Sequence, residues 1–175
     1  ERPDFGTVVQ IGGVVRLVVG SEAPDIQTVD YLGNPVSLAA LRGQPVLLSF
    51  YRYASCPVCN LRVRRVIEAY PGWQQQGLAM LAVFQSPASS VLGYVGRQGA
   101  PFPIVPDPDM RLYSQYGVES RWAGLMTGRV VSAALSAFRQ GFLPGRIDGP
   151  FHRMPADFLI GPDGRAVIAH YGADI

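Results

Sequence analysis

The chain has 175 residues, of which 48% are hydrophobic and 16% charged, a balance that excludes intrinsic disorder and predicts one folded domain over residues 1–175. Its 15 basic residues are all arginine and lie scattered along the chain, so no nucleic-acid partner is expected. The longest apolar runs fall far short of the roughly 18 to 20 residues that a membrane span requires, so no membrane partner is expected. The first residue is Glu1 rather than Met, which leaves open the removal of an N-terminal signal.

The first half of the sequence predicts strands separated by Gly and Pro turns. Two β-branched runs, 7–10 and 14–19, indicate an N-terminal hairpin. The apolar runs 45–50 and 78–84 predict strands of a buried mixed or parallel sheet, with 45–50 as the central strand. Between them a helix is expected to begin at Pro57 and to end or kink at Pro71.

The second half continues the alternation of strands and helices. Ser86 or Ser89 is expected to cap a helix that runs to about Arg97 and is closed by Gly99. The remaining predicted elements are a strand at 102–105, a helix within 107–116 capped through Asp107, a helix at 129–139 and a hairpin of strands 157–160 and 166–171.

Residues 121–150 do not follow this alternation and are interpreted as an insertion. The predicted helix at 129–139 has an apolar face, and Gly and Pro residues follow it. We expect the insertion to cover the sheet near the cysteines and to restrict large substrates. The apolar residues of the predicted face are Val130, Val131, Ala134, Leu135 and Phe138.

The only two cysteines stand three residues apart, as Cys56-Pro57-Val58-Cys59. A disulfide between them would close too short a loop to stabilise the whole domain, so a structural role is not expected. A zinc site would need two more ligands, and His152 and His170 are too far apart in sequence to match the usual spacing, so no metal is expected. A C-x-x-C between a strand and a helix is typical of a thiol redox motif, which needs no cofactor.

Several segments in chain order resemble the AhpC/TSA family, the peroxiredoxin-like branch of the thioredoxin fold. They are Gly20-Ser-Glu-Ala-Pro-Asp-Ile26, Leu32-Gly-Asn-Pro-Val-Ser-Leu38, Leu41-Arg-Gly-Gln-Pro-Val-Leu-Leu-Ser-Phe50, Phe102-Pro-Ile-Val-Pro-Asp-Pro108 and Phe158-Leu-Ile-Gly-Pro-Asp-Gly-Arg165. The resemblance implies an α/β thioredoxin-like fold, with a central mixed sheet flanked by helices, to which the pattern of residues adds an N-terminal hairpin and a helical insertion before the last hairpin. It also implies a hydroperoxide or disulfide substrate and an external thiol reductant, such as a thioredoxin or glutathione system, and leaves a homodimer open.

The cysteine motif departs from the family pattern. Peroxiredoxins carry a Thr three residues before the peroxidatic Cys and a Pro seven before it. Counted from Cys56 these positions hold Tyr53 and Ser49, and counted from Cys59 they hold Cys56 and Arg52. Ser55 stands where thioredoxins have Trp, and Phe50 where they have a buried acid. The resemblance therefore implies thiol redox chemistry more firmly than peroxidase chemistry.

Physical chemistry of the motif supports a reactive thiol. A Cys at a helix N-terminus faces unpaired N–H groups and the positive end of the helix dipole, which lower the thiol pKa. Arg52 is the expected supporting cation, whereas Arg62, Arg64 and Arg65 are expected to lie on a solvated helix face.

The second half of the site is expected at Arg153-Met154-Pro155. Thioredoxin folds place a cis-Pro beside the active Cys at the start of the strand before the final hairpin, and Pro155 stands at the corresponding position. The resemblance therefore implies a cis bond between Met154 and Pro155, with Arg153 beside it.

The predicted function is a thiol-dependent oxidoreductase that reduces hydroperoxides or disulfides through Cys56 and Cys59. Two alternatives stay open: a protein-disulfide oxidoreductase without peroxidase activity, and a non-catalytic binding module that uses 121–150 for recognition. Cys56 is the expected nucleophile, because its sulfur should be solvent-accessible at the helix start while Cys59 lies inside the first turn. A cytoplasmic location is expected, since a lone vicinal pair fits a reducing compartment.

Overall fold

The protein is described by a computed structural model that covers residues 9–11, 14–118, 128–150, 152 and 155–172. Two short antiparallel hairpins come first, β1 (Val9–Ile11) with β2 (Val14–Arg16) and β3 (Gln27–Val29) with β4 (Pro35–Ser37). The N-terminal hairpin expected from the β-branched runs is thus confirmed, and its second strand is shorter than predicted.

A five-stranded mixed sheet forms the centre of the fold, in the order β7-β6-β5-β8-β9. Strands β5, β6 and β7 are parallel, whereas β8 is antiparallel to β5 and to β9. Parallel neighbours need crossover connections, and helices α1 and α2 supply them. The bounds are β5 (Val46–Phe50), α1 (Pro57–Gln75), β6 (Ala79–Phe84), α2 (Ala88–Gly93), β7 (Ile104–Pro106), β8 (Ala156–Ile160) and β9 (Ala166–Tyr171).

Apolar side chains fill both faces of this sheet, as the unbroken apolar strands predict. On one face Leu48, Phe50 and Phe158 pack with Tyr113 of the short helix α3 (Arg111–Gln115). On the other face the inner side of α1 packs against β6 and brings both cysteines into the same buried cluster. Because β5 is the central strand, the short loop after its carboxyl end leads from the middle of the sheet to the start of α1.

The helix ends differ in part from those expected. Helix α1 does not end at Pro71 but continues to Gln75, because Pro71 lies on the exposed face, where water can replace the lost backbone hydrogen bond, while a kink at Pro71 stays a prediction. Neither Ser86 nor Ser89 caps α2, whose N-cap is Pro87. Gly99 does end the following 3₁₀ turn in the left-handed region, at φ 64°, and Asp107 accepts N–H bonds from residues of α3 as predicted.

The segment 128–150 contains helix α4 (Gly128–Arg139), close to the predicted bounds. The helix contacts α1, and Ala137 is fully buried, whereas Val131, Leu135 and Phe138 are 66%, 51% and 45% exposed. Helix α4 therefore lies against α1 and leaves three apolar residues of its predicted face exposed. No helix of the described residues has the length and apolar character to cross a membrane.

Candidate active site

The cysteine pair lies where β5 ends and α1 begins. Cys56 is the N-cap of α1, in an extended conformation with φ −63° and ψ 117°, and Pro57 occupies the first turn. The Cys56 Sγ accepts a hydrogen bond from the backbone N–H of Cys59 at 3.4 Å. The side-chain amide of Asn60 ties this turn down by donating to the carbonyls of Ala54 and Cys56, at 2.7 and 2.9 Å. Both sulfurs are thereby held within the first turn of the helix.

Arg52 provides a buried cation at this turn. Its Nη2 lies 3.1 Å from the Cys56 Sγ, and the side chain is only 4% exposed. The guanidinium carbon also lies 5.4 Å from the centroid of the Tyr53 ring. A guanidinium keeps its charge even when buried, so it attracts a thiolate here more strongly than it would in water.

Both cysteines are shielded from solvent. Cys56 is 0% and Cys59 5% exposed, and in the structure both are free thiols. The expectation that the Cys56 sulfur is solvent-accessible is therefore wrong, and Cys59 is the more exposed of the two. The sequence argument considered only the position along the helix and could not include residues packed over its start.

The two thiols ionise as a pair. Burial raises the pKa of Cys59, but the hydrogen bond from Cys56 and the charge of Arg52 outweigh burial and lower that pKa to about 6. Burial, together with the hydrogen bond to Cys59 and its charge, raises the pKa of Cys56. One proton thus leaves the pair readily, and the second is retained because two adjacent thiolates repel.

The segment 128–150 covers this turn through polar contacts with backbone carbonyls. The Ser55 hydroxyl donates to the carbonyl of Arg146 at 2.6 Å, and the Gln85 side chain donates to the carbonyl of Pro150 at 2.9 Å. Beside Ser55 the segment borders a cavity of about 320 Å³, which Asn60 and Leu143 also line. The expectation that this part of the chain lies near the cysteines is confirmed for its described residues.

Comparison with known proteins identifies the family of this chain. The sequence profile of the AhpC/TSA family (alkyl hydroperoxide reductase and thiol-specific antioxidant) matches residues 19–168. The chain belongs to the AhpC/TSA family. The Mycobacterium tuberculosis (strain ATCC 25618 / H37Rv) protein Rv2521, whose name assigns it to the peroxiredoxins, is 26% identical over 156 residues, covering 89% of this chain and 86% of the relative.

Two further proteins are similar to this AhpC/TSA chain, one in sequence and one in structure. Thiol-disulfide oxidoreductase ResA of Geobacillus thermodenitrificans (strain NG80-2) is 36% identical over 103 residues, covering 58% of this chain and 59% of ResA. The crystal structure of peroxidoxin BcpB from Mycobacterium tuberculosis superposes with a TM-score of 0.66 at 16% identity, covering 89% of this chain and 86% of BcpB. The thioredoxin-like α/β fold predicted from the sequence is confirmed.

The remaining predicted site residues of this family member are only partly described. Pro155 precedes β8, and its carbonyl accepts the N–H of Gly172 at 2.9 Å. Arg153 and Met154 lie outside the described residues, so the cis bond before Pro155 stays a prediction. Within the described residues, no group of three or more His, Cys, Asp or Glu side chains is placed to hold a metal ion.

Sequence reasoning missed an ion pair on the sheet beneath α1. Arg62, expected on a solvated face, forms a 2.6 Å ion pair with Asp157 of β8, and Asp157 also accepts a 2.7 Å hydrogen bond from Ser49 of β5. The available signal was that Ser49 and Asp157 are the polar residues of two otherwise apolar strands. Only the antiparallel register, which places Ser49 opposite Asp157, shows that they meet.

Proposed function

We propose that this AhpC/TSA protein is a dithiol oxidoreductase in which Cys56 and Cys59 cycle between two thiols and one disulfide, with a small hydroperoxide as the preferred oxidant. The observation that carries the proposal is the buried thiol pair at the start of α1, with a guanidinium nitrogen of Arg52 3.1 Å from one sulfur. Arg52 stabilises a thiolate, and the thiolate is the form that attacks oxidants.

In the first step the Cys59 thiolate attacks the terminal oxygen of the hydroperoxide. A sulfur–oxygen bond forms, the oxygen–oxygen bond breaks, and the alkoxide takes a proton and leaves as an alcohol, or as water if the oxidant is hydrogen peroxide. Cys56 then attacks the sulfur of the Cys59 sulfenic acid, and hydroxide leaves with a proton as water. Two electrons from an external thiol reductant return the disulfide to two thiols.

Cys59, rather than Cys56, is the proposed attacking sulfur. Its pKa is the lowered one of the pair, and Cys59 as a whole residue is 5% exposed against 0% for Cys56. This reverses the expectation from helix position, which depended on access of solvent to Cys56.

Burial favours a small oxidant over a protein disulfide. Exchange with a protein disulfide requires the attacking sulfur to approach a second folded surface, whereas both sulfurs here lie beneath side chains of the chain itself. A hydroperoxide needs a smaller opening. The segment 128–150, through the Ser55 contact with Arg146, is the proposed barrier to larger substrates.

Disulfide exchange without peroxidase activity is the second candidate. It is favoured by the residues three and seven positions before Cys59, which are Cys56 and Arg52 instead of the peroxiredoxin Thr and Pro. The name of the relative ResA, a thiol-disulfide oxidoreductase, agrees with this candidate.

The deciding experiment is stopped-flow oxidation of the fully reduced protein by hydrogen peroxide, an organic hydroperoxide and a small disulfide. We expect the hydroperoxides to react faster than the disulfide and to leave one disulfide per chain. Faster oxidation by the disulfide would favour the second candidate. Two thiols with ordinary pKa values and no preference for any oxidant would favour the non-catalytic binding module.

We also propose a cytoplasmic location, since both cysteines of the chain belong to the thiol pair and neither serves a structural disulfide. Cell fractionation that recovers the mature protein outside the cytoplasm would contradict this.

A further inference from the structure

A second guanidinium lies on the same helix as the thiols, one turn further along. Arg62 follows Cys59 by three residues, and side chains at this spacing lie on the same side of a helix, about 5 to 6 Å apart at Cβ. The guanidinium carbon of Arg62 lies 5.4 Å from the centroid of the Tyr51 ring. Tyr51 is 1% exposed and belongs to the same buried cluster as both cysteines. Arg62 is therefore a neighbour of the thiol cluster.

The position of Arg62 is fixed by the sheet beneath the helix. Its Nη2 lies 2.6 Å from Oδ2 of Asp157, while Oδ1 of Asp157 accepts the hydroxyl of Ser49 at 2.7 Å. The Asp157 side chain is 22% exposed, so water reaches this ion pair only in part. A carboxylate held by both a guanidinium and a hydroxyl has a defined orientation. Asp157 therefore also fixes the orientation of the Arg62 guanidinium.

We propose that Arg62 is a second cation of the thiol site and that Asp157 is a positioning residue, which holds Arg62 near Cys59 and offsets part of its charge. This inference rests on the proposed thiol function, because it concerns how readily the Cys59 sulfur carries a negative charge. Arg52 acts on the pair from the loop before α1, and Arg62 acts from the helix itself.

The charges around the pair support this assignment. The loop contributes Arg52 and Tyr53, β5 is followed by Tyr51, α1 contributes Arg62 and the two cysteines, and β8 contributes Asp157. Burial raises the pKa of Tyr51 and of Tyr53, so both phenols stay neutral near pH 7. Two guanidiniums, one carboxylate and one thiolate then sum to zero, whereas two thiolates would leave a net negative charge. The site is thus electrically balanced with a single thiolate.

The test is a thiol titration of matched variants, followed by thiolate absorbance and by the pH dependence of alkylation. Asp157→Asn removes the offsetting charge and should lower the first thiol pKa, whereas Arg62→Gln removes the cation and should raise it. Because the ion pair is partly exposed, we expect each shift to be about half a pH unit, or about a threefold change in thiolate fraction below the midpoint. The proposal requires the first thiol pKa to shift in opposite directions in the two variants, since a simple loss of structure would not make the direction differ between them.

Three controls complete the experiment. Arg62→Lys keeps the cation and should restore most of the parent pKa, and this pair of variants decides the question even if Asp157→Asn does not fold. Arg64→Gln removes an exposed arginine of the same helix and should leave the pKa unchanged, while Ser49→Ala should have a smaller effect than Asp157→Asn. Shifts in the same direction for Asp157→Asn and Arg62→Gln, or shifts no larger than that of Arg64→Gln, would overturn the inference.

The titration needs no turnover, so it separates this inference from the proposed function. Opposite pKa shifts in a protein that no oxidant oxidises would uphold the role of Arg62 and refute the oxidoreductase. Rapid oxidation without opposite pKa shifts would uphold the oxidoreductase and refute the role of Arg62.

Discussion

Helices α1 and α4 lie against each other but are held in different ways. Helix α1 inserts Leu61, Val63 and Tyr70 into the protein interior, and it carries the cysteines. Helix α4 contacts α1, buries Ala137 and leaves Leu135 exposed. Beyond α4, the segment is joined to the site through side-chain contacts with backbone carbonyls, such as that of Ser55 with Arg146. The thiols therefore lie on a firmly packed helix under a more weakly attached cover, and access to them should depend on the cover.

The largest expected effect comes from the cysteines on α1. Cys59→Ser should lower peroxide turnover by about 10³-fold or more, because it removes the proposed attacking sulfur and the remaining thiol, Cys56, is fully buried. Cys56→Ser should still react once and stop as a sulfenic acid on Cys59, which dimedone trapping and mass spectrometry can locate. Trapping on Cys56 in Cys59→Ser, together with an inert Cys56→Ser, would return the nucleophilic role to Cys56.

The difference in packing should appear in stability. Leu48→Ala, at a fully buried position of the central strand, should lower the free energy of unfolding by about 2 to 5 kcal/mol, through lost burial and the cavity that it leaves. Leu135→Ala on α4 makes the same chemical change at a half-exposed position and should cost under about 1 kcal/mol. Urea unfolding of the two variants measures both values. A cost at Leu135 equal to that at Leu48 would show that another surface covers α4 in solution.

The contrast between α1 and α4 also shows which features the sequence could predict. The structure agrees with three local signals, which are the mostly apolar run of β5, Pro57 at the start of α1 and the Asp107 side chain that accepts N–H bonds at the start of α3. No local signal shows which apolar residues of α4 face solvent, because Ala137 and Leu135 are both apolar, yet the first is buried and the second is 51% exposed.

Within the site, the sequence identified the cysteines and Arg52, since they belong to one short stretch. It missed the contact between Ser49 and Asp157, because these residues are 108 positions apart and meet only through the register of β5 with β8. It also misjudged the exposure of Cys56, because Arg52 of the preceding loop and the buried cluster that contains both cysteines surround its sulfur.

A third prediction concerns the cation at the thiols. Arg52→Met should raise the first pKa of the pair from its lowered value, because the positive charge that stabilises the thiolate is lost. At pH 7 the thiolate fraction, and with it the rate of single-turnover oxidation, should fall by about 10-fold or more, and the loss should shrink as the pH rises above the new pKa. Arg64→Met, at an exposed position of α1, is the matched control and should retain the parent pH profile. A uniform loss of rate at every pH would instead indicate a role of Arg52 in binding the oxidant.

The smallest expected effect concerns the contact of Ser55 with the segment 128–150. Ser55→Ala removes the hydroxyl that donates to the carbonyl of Arg146 and should lower the free energy of unfolding by about 0.5 to 1.5 kcal/mol, the usual net value of such a bond.

The stronger consequence of Ser55→Ala should be on the access of reagents to the thiols, because a segment held by few polar contacts opens more often when one contact is lost. Above the thiol pKa, where charge no longer limits the reaction, alkylation by a bulky maleimide should become about 2- to 10-fold faster, whereas oxidation by hydrogen peroxide should change less. Ser114→Ala removes a hydroxyl that donates to a backbone carbonyl on the exposed surface of α3, and it should leave both rates unchanged. If the maleimide and peroxide rates rise equally in Ser55→Ala, the segment 128–150 does not select substrates by size, and the barrier over the thiols lies in the loop before α1.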